Sequence, residues 1–292
     1  MEHKSGFVNI IGNPNVGKST IMNNMVGEKI SIITSKSQTT RHRILGIVNG
    51  EDFQIVYSDT PGIIKPAYRL QENMMRFVST AFEDADVIMY VTDVVESPMK
   101  NKHYIEKLKT SDTPVIILIN KIDLSTQEAV MAMIESWENE VPDATVIPMS
   151  ALKAHNLGRL LDEILVRLPE NPAFFPKDQL TDRTERFIIS EIVREKILIK
   201  YRQEIPYSVE VVVDSFKEDE KIIRIEATIF VARDSQKGII IGRKGASLKK
   251  VGQMARKDAE EFFGKQVYLG LFVKVKKDWR NDDRILRQFG YQ

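Results

Sequence analysis

Gly12-Asn13-Pro14-Asn15-Val16-Gly17-Lys18-Ser19 follows directly on the apolar run Phe7–Ile11 and leads into a helical pattern. The spacing is that of a phosphate-binding loop, G-x-x-x-x-G-K-[ST], placed between a strand and a helix. Each residue type has a physical reason. Glycines let backbone N–H groups converge on phosphate oxygens, and a helix N-terminus adds partial positive charge. Lys18 would reach the β- and γ-phosphates. Ser19, followed by Thr20 on the same turn, would offer its hydroxyl oxygen to Mg²⁺.

Outward from this loop, three further segments extend the reading. Asp59-Thr60-Pro61-Gly62 ends the apolar strand Phe53–Ser58. There a carboxylate can hold Mg²⁺ and the Gly62 N–H can meet a γ-phosphate. Alone, Asp-x-x-Gly is a turn signal; its place after a phosphate loop gives it weight. Asn120-Lys121-Ile122-Asp123 ends the run Val115–Ile119. Asp123 can accept from guanine N1–H and the N2 amino group, neither of which adenine offers. Two charge-assisted bonds lost cost roughly 3–6 kcal/mol, enough to select GTP and GDP over adenine nucleotides. Asn120 addresses the other edge of the base or braces the phosphate loop, and Ser150-Ala151-Leu152 supplies a backbone N–H for guanine O6.

Between the phosphate loop and Asp59 lies Gln38-Thr39-Thr40-Arg41-His42, read as a nucleotide-sensing switch rather than a plain polar loop. A threonine here can close over Mg²⁺ and γ-phosphate while the triphosphate is intact. Thr40 is preferred and Thr39 is the alternative, so Ser19, Thr40 and Asp59 form the expected metal set. Ile63 stands where many GTPases carry a water-orienting glutamine. Intrinsic hydrolysis is therefore expected to be slow, or to depend on backbone groups, ordered water or a partner. Asn15 with the switch loop is a candidate site for K⁺.

Composition bounds the rest. The 292 residues are 42% hydrophobic and include no cysteine, which excludes disulfides, thiol nucleophiles and cysteine–zinc sites. The four histidines are scattered without ligand spacing. No apolar stretch approaches the roughly 18 residues of a membrane span, so a soluble protein is expected. Short β-rich runs alternating with helical patterns predict a mostly parallel sheet covered by helices on both faces. Ile44–Val48, Asn49-Gly50 and Phe53–Ser58 add one antiparallel hairpin. Pro169, Pro172 and Pro176 then mark an extended linker. The expected division is a nucleotide-binding domain at 1–168, a Pro-rich linker at 169–180 and an α+β domain at 181–292.

Net charge is split: residues 1–180 carry 18 basic against 23 acidic residues, and residues 181–292 carry 24 against 18. A basic second half suggests a polyanion partner, although such faces are usually only solvated. Gly242-Arg243-Lys244-Gly245 lies before a helix bearing Lys249 and Lys250, with Ile241 and Ser247 flanking it. A GxxG loop clamps nucleic-acid backbone because its glycines permit close approach and its basic residues meet phosphate. The motif alone is weak, and a helix–turn–helix packing loop is its bland reading. The order strand–helix–GxxG–helix–strand, preceded by a helix and another strand, is that of a KH domain. Leu248, Val251, Ala255, Ala259 and Phe262 would form the core face of the second helix, and Trp279 and Tyr291 read as core or surface rather than as base stackers.

Thr-Thr-Arg-His-Arg at 39–43, Asp-Thr-Pro-Gly-Ile at 59–63, Arg202–Val209 and Ile241–Gly245 resemble the Era family of bacterial GTPases over nearly the whole chain. The resemblance implies an α/β P-loop NTPase fold followed by a type II KH domain. It implies binding of single-stranded 16S ribosomal RNA near its 3′ end and a role in assembling the small (30S) subunit, with nucleotide state setting domain arrangement and affinity. It also implies a cytoplasmic protein with peripheral association at the membrane face; no DNA partner is expected, and a monomer is. Three functions remain distinct: a switch whose hydrolysis times RNA release, an RNA-binding factor that keeps GTP as a structural ligand, and a GTPase for protein or membrane partners.

Overall fold

The computed structural model describes residues 3–96 and 100–291. By its internal contacts the chain divides into two units. The first comprises residues 1–31, 40–65 and 74–182; the second comprises 32–39, 66–73 and 183–292.

The first unit is built on a six-stranded sheet of order β2-β3-β1-β4-β5-β6. Its strands are β1 (Lys4–Gly12), β2 (Ile44–Asn49), β3 (Phe53–Asp59), β4 (Val87–Asp93), β5 (Val115–Asn120) and β6 (Thr145–Pro148). All neighbours run parallel except β2, which pairs antiparallel with β3 as the Asn49-Gly50 turn requires. The helices are α1 (Lys18–Val26), α2 (Arg69–Glu83), α3 (Lys102–Lys109), α4 (Gln127–Glu140) and α5 (Leu157–Arg167). Successive strand residues point to opposite faces, so Ile11, Ile88, Tyr90, Ile117 and Ile119 form one surface. Val78 and Ala81 of α2, Ile105 and Leu108 of α3, and Trp137 of α4 pack onto it. The alternate residues Ile10, Met89, Ile116 and Leu118 are equally inaccessible, so the sheet is covered on both faces.

The stretch 169–180, expected to be a linker, is extended but packed along the first unit. Ser5 N–H donates to Pro169 O, Ile47 N–H to Leu180 O, and the Phe174 and Phe175 amides donate to Gln54 Oε1 at 2.7 and 2.9 Å. Proline supplies extended backbone there without supplying freedom. The contact boundary consequently falls at Asp182/Arg183.

The second unit has a three-stranded sheet of order β7-β8-β9, with β7 (Val209–Glu218) antiparallel to β8 (Ile222–Val231) and β8 parallel to β9 (Gln266–Val275). Helices α6 (Glu185–Lys200), α7 (Asp234–Ile241), α8 (Ala246–Phe263) and α9 (Asp283–Gln288) complete it. Ile189, Val193 and Ile197 of α6 pack with Ile225 and Ile229 of β8 and with Val251, Ala255 and Ala259 of α8. The short apolar run Gly238–Ile241 before the GxxG motif is expected from sequence to form a turn; it is instead the last turn of α7. On α8 it is Phe263 that packs on the core, while Phe262 is exposed. No helix among the described residues is long and apolar enough to cross a membrane.

Candidate nucleotide site and nucleic-acid interface

The nucleotide motifs converge at the carboxyl ends of the parallel strands, where β1 passes through the loop into α1. Gly17, at φ 103°, precedes α1, and no side chain caps the helix, so its first amides face the loop. A Cβ on Gly17 would lie 2.2 Å from Asn120 Nδ2. Close approach between two motifs over 100 residues apart is thus the reason for glycine. Asn120 Nδ2 donates to Val16 O at 2.8 Å and its Oδ1 accepts from Ala151 N–H at 2.9 Å. Of the two roles considered for Asn120, bracing is the one in place. It also means that, of the Ser150-Ala151-Leu152 amides from which one was expected to serve guanine O6, that of Ala151 already has an acceptor.

Lys121 has φ 63°, and its Nζ donates to Asn15 O at 2.6 Å while pairing with Asp93. Asp123 Oδ1 accepts from Ser150 Oγ at 2.5 Å, which orients the carboxylate expected to read the base. Leu152 is exposed. Lys18 Nζ donates to Gly12 O at 3.0 Å and Asn13 O at 2.7 Å. Burial lowers its pKa to about 8, opposed by the charges of Asp59 and Glu96.

Ser19 Oγ donates to Asp59 Oδ2 at 2.6 Å and lies 3.0 Å from Thr40 Oγ1, which is itself 3.3 Å from the same carboxylate oxygen. Thr39 Oγ1 instead meets Thr34 Oγ1 and Lys36 O, both at 2.6 Å. Thr40, not Thr39, is therefore the threonine grouped with Ser19 and Asp59. Asp59 is fully buried; its Oδ1 has no hydrogen-bond partner, and burial raises its pKa despite Lys18 and three hydroxyl donors. An unpartnered carboxylate oxygen among hydroxyls is a hard-oxygen donor set that fits Mg²⁺. Ser31 Oγ, which no motif announced, also donates to Asp59 Oδ2 at 2.7 Å. Thr60 donates through Oγ1 to Ile10 O at 2.7 Å, anchoring the turn that carries Pro61 and Gly62. Ile63 is buried in the core, and its amide donates to Gly12 O at 3.0 Å. It has no group with which to orient water. Thr40, Arg41 and His42 are buried rather than forming a solvated loop.

In the second unit, the GxxG segment joins α7 to α8 with Gly242 at φ 71°, Lys244 at φ 51° and Gly245 at φ 78°. A Cβ on Gly242 would stand 2.4 Å from Ser247 Oγ. Arg243, Lys244, Lys249 and Lys250 are exposed, whereas Ile241 is half-buried against the core. A groove of about 410 Å³ runs beside the motif, lined by Gly245, Lys249, Arg256 and Gln253 of the α8 side and by Tyr268 and Leu271 of β9. Leu248, assigned to the core, also lines this groove, whereas Lys250 does not. Arg256, Gln253 and Tyr268 were missed as site residues; a basic helix gave only a diffuse signal, and β9 lies far from the motif in sequence. Trp279 and Tyr291 are core residues, bonded to Ser208 O at 3.1 Å and Glu210 Oε2 at 2.7 Å.

The same unit holds two segments from the first half of the sequence. The buried pair Glu191–Arg194 on α6 reaches the segment 32–39: Arg194 donates to the carbonyls of Thr39 and Gln38. Tyr68 Oη donates to Gln38 Oε1 at 3.1 Å, and the Arg280 guanidinium lies 4.8 Å from the Tyr68 ring centroid.

Fold and site together define a P-loop GTPase joined to a KH domain. A family model described as a 50S ribosome-binding GTPase matches residues 7–121, and a KH-domain model matches 204–280. Relatives described as GTPase Era include that of Staphylococcus haemolyticus, 48% identical over 99% of this chain and 98% of the relative. Another, from Syntrophus aciditrophicus, is 48% identical over 99% and 95%. The chain belongs to the Era family of GTPases. A crystal structure of Aquifex aeolicus Era, a tyrosine-to-alanine variant bound to GDP and aluminium fluoride, is 41% identical with a TM-score of 0.94 and 99% coverage of both chains. Era in complex with MgGDPNP and nucleotides 1506–1542 of 16S ribosomal RNA is 40% identical, with the same score and coverage.

Proposed function

We propose that this chain hydrolyses GTP as a switch while its KH groove holds single-stranded 16S ribosomal RNA near the 3′ end, and that it assists assembly of the 30S subunit. The observation that carries the reading is the pairing, in one chain, of the Ser19–Thr40–Asp59 cluster with the GxxG groove. The Era complex with 16S ribosomal RNA supports the RNA assignment, and the likeness is nearly full length. The family-model description names the 50S subunit, but that model stops at residue 121, before the KH half.

In the nucleotide site, the α1 amides and Lys18 hold the β- and γ-phosphates, and Asp123, oriented by Ser150, reads guanine. Ser19, Thr40 and Asp59 would hold Mg²⁺, which when bound would neutralise phosphate charge. Water attacks the γ-phosphorus in line and the bond to the bridging oxygen breaks, leaving GDP and phosphate. Because Ile63 is packed into the core, the chain offers no side chain at that position to orient the water. K⁺ held near Asn15, whose φ is 66°, would add the missing positive charge. The protein acts as a monomer in the cytoplasm, with peripheral contact at the membrane face.

Steady-state hydrolysis with and without a 3′-terminal 16S fragment, in K⁺ and in Na⁺, tests this reading. RNA and K⁺ should each raise turnover. Rates near zero under every condition would instead make GTP a structural ligand. Arg243→Asp with Lys244→Asp should weaken RNA binding and flatten its salt dependence; unchanged affinity would remove the GxxG loop from the interface.

A further inference from the structure

Glu96 lies just beyond β4 and belongs to none of the nucleotide motifs. Its Oε2 accepts from Asn13 Nδ2 at 2.6 Å and its Oε1 from Thr92 Oγ1 at 2.8 Å. Asn13 Oδ1 in turn accepts from Asn101 Nδ2. Asn13 is therefore an almost fully buried amide gripped at both ends, its donor by a carboxylate and its acceptor by a second amide. The same residue's carbonyl accepts from Lys18 Nζ. Side chain and main chain of Asn13 thus join Glu96 to the ammonium that reaches the β- and γ-phosphates.

We propose that Glu96 is a positioning residue for triphosphate: by fixing Asn13 it places the Asn13 carbonyl and the Lys18 ammonium, and so sets the preference for GTP over GDP. This rests on the nucleotide reading above. One observation locates the effect at the γ-phosphate end. The amide of Ile63, next to Gly62, donates to Gly12 O, so the Asp59–Gly62 turn meets the loop beside Asn13. Burial raises the Glu96 carboxyl itself, while its two hydrogen-bond donors oppose that rise.

The test is a titration of GTP and GDP, each with Mg²⁺, into full-length protein and its variants, with a thermal melt of each. Glu96→Ala should weaken GTP by about tenfold or more, as loss of an outer support does elsewhere, and weaken GDP far less. Glu96→Gln should bind close to wild type, because its amide can accept from Asn13 and donate to Thr92. Glu96→Ala in an Asn13→Ala background should cost nothing further, since the residue acts through Asn13. Asn101→Ala, which frees the other end of the same amide, should reproduce the selective GTP loss and serves if Glu96→Ala does not fold. Equal losses for GTP and GDP, or additive effects in the double variant, would overturn the proposal. Wild-type protein that bound neither nucleotide would instead sink the nucleotide reading itself, and the two failures are told apart in one experiment.

Discussion

At the residue scale, the site depends on side chains whose charge is set by burial. Lys18 is the clearest case, with its pKa lowered to about 8. Its unfolded value is higher, so the folded apo protein gives up this proton first, between about pH 8 and 10.5. A bound triphosphate restores the charged form, which makes binding consume a proton above about pH 8. GTP affinity should be flat from pH 7 to about 8 and then fall, at most tenfold per pH unit. Titrations in buffers of different ionisation enthalpy would detect the proton uptake, and a flat profile to pH 9 would contradict it. Asp123→Asn should erode discrimination against other purines by about 10²-fold or more; competition binding with ATP and ITP checks this. Most of these residues were legible because their motifs couple type to spacing. Thr40 was preferred to Thr39, and the fold turns Thr40 toward Ser19 and Asp59, a direction that local sequence does not encode for adjacent residues. Ser31 gave no signal at all, because its partner Asp59 is reached only through the fold.

At the element scale, alternation and periodicity made the strands and the core face of α8 readable. β9 buries Val267 and Val273 on one side and exposes Tyr268 and Phe272 on the other. The error of one position on α8, Phe262 for Phe263, arose at a helix end, where fraying makes the face ambiguous. The turn–helix error at Gly238–Ile241 has a related cause: glycine reads as a breaker, but here it opens the final turn of α7. Ile229 of β8 is fully buried in the core that it shares with α6 and α8, so Ile229→Ala should destabilise the second unit by about 2–5 kcal/mol in urea unfolding. Gly242→Ala would need a Cβ 2.4 Å from Ser247 Oγ at a positive φ. It should weaken RNA binding while leaving GTP affinity unchanged, measurable by filter binding and by nucleotide titration on the same preparation.

At the scale of the whole molecule, the order of the sequence and the grouping of contacts differ. The sequence reading places residues 32–39 and 66–73 within the nucleotide-binding domain at 1–168, yet they group with residues 183–292. No local pattern could show this, because the link is made by buried Arg194, which is paired with Glu191 and bonded to the carbonyls of Gln38 and Thr39. Replacing both members, Glu191→Gln with Arg194→Gln, avoids leaving one charge buried alone. The double variant should shrink the difference in RNA affinity between the GTP-analogue and GDP states, while each nucleotide still binds. The proline-rich stretch 169–180 teaches the same lesson in reverse: composition showed extended chain, but only the structure showed it packed along the first unit.

The most direct measurement is a calorimetric titration of full-length protein with GTP and, separately, with ATP, each in Mg²⁺. A pocket braced by Asn120, charged by Lys18 and read by Asp123 should bind GTP about 10²- to 10⁴-fold more tightly than ATP. Equal binding of the two, or binding of neither, would contradict the account.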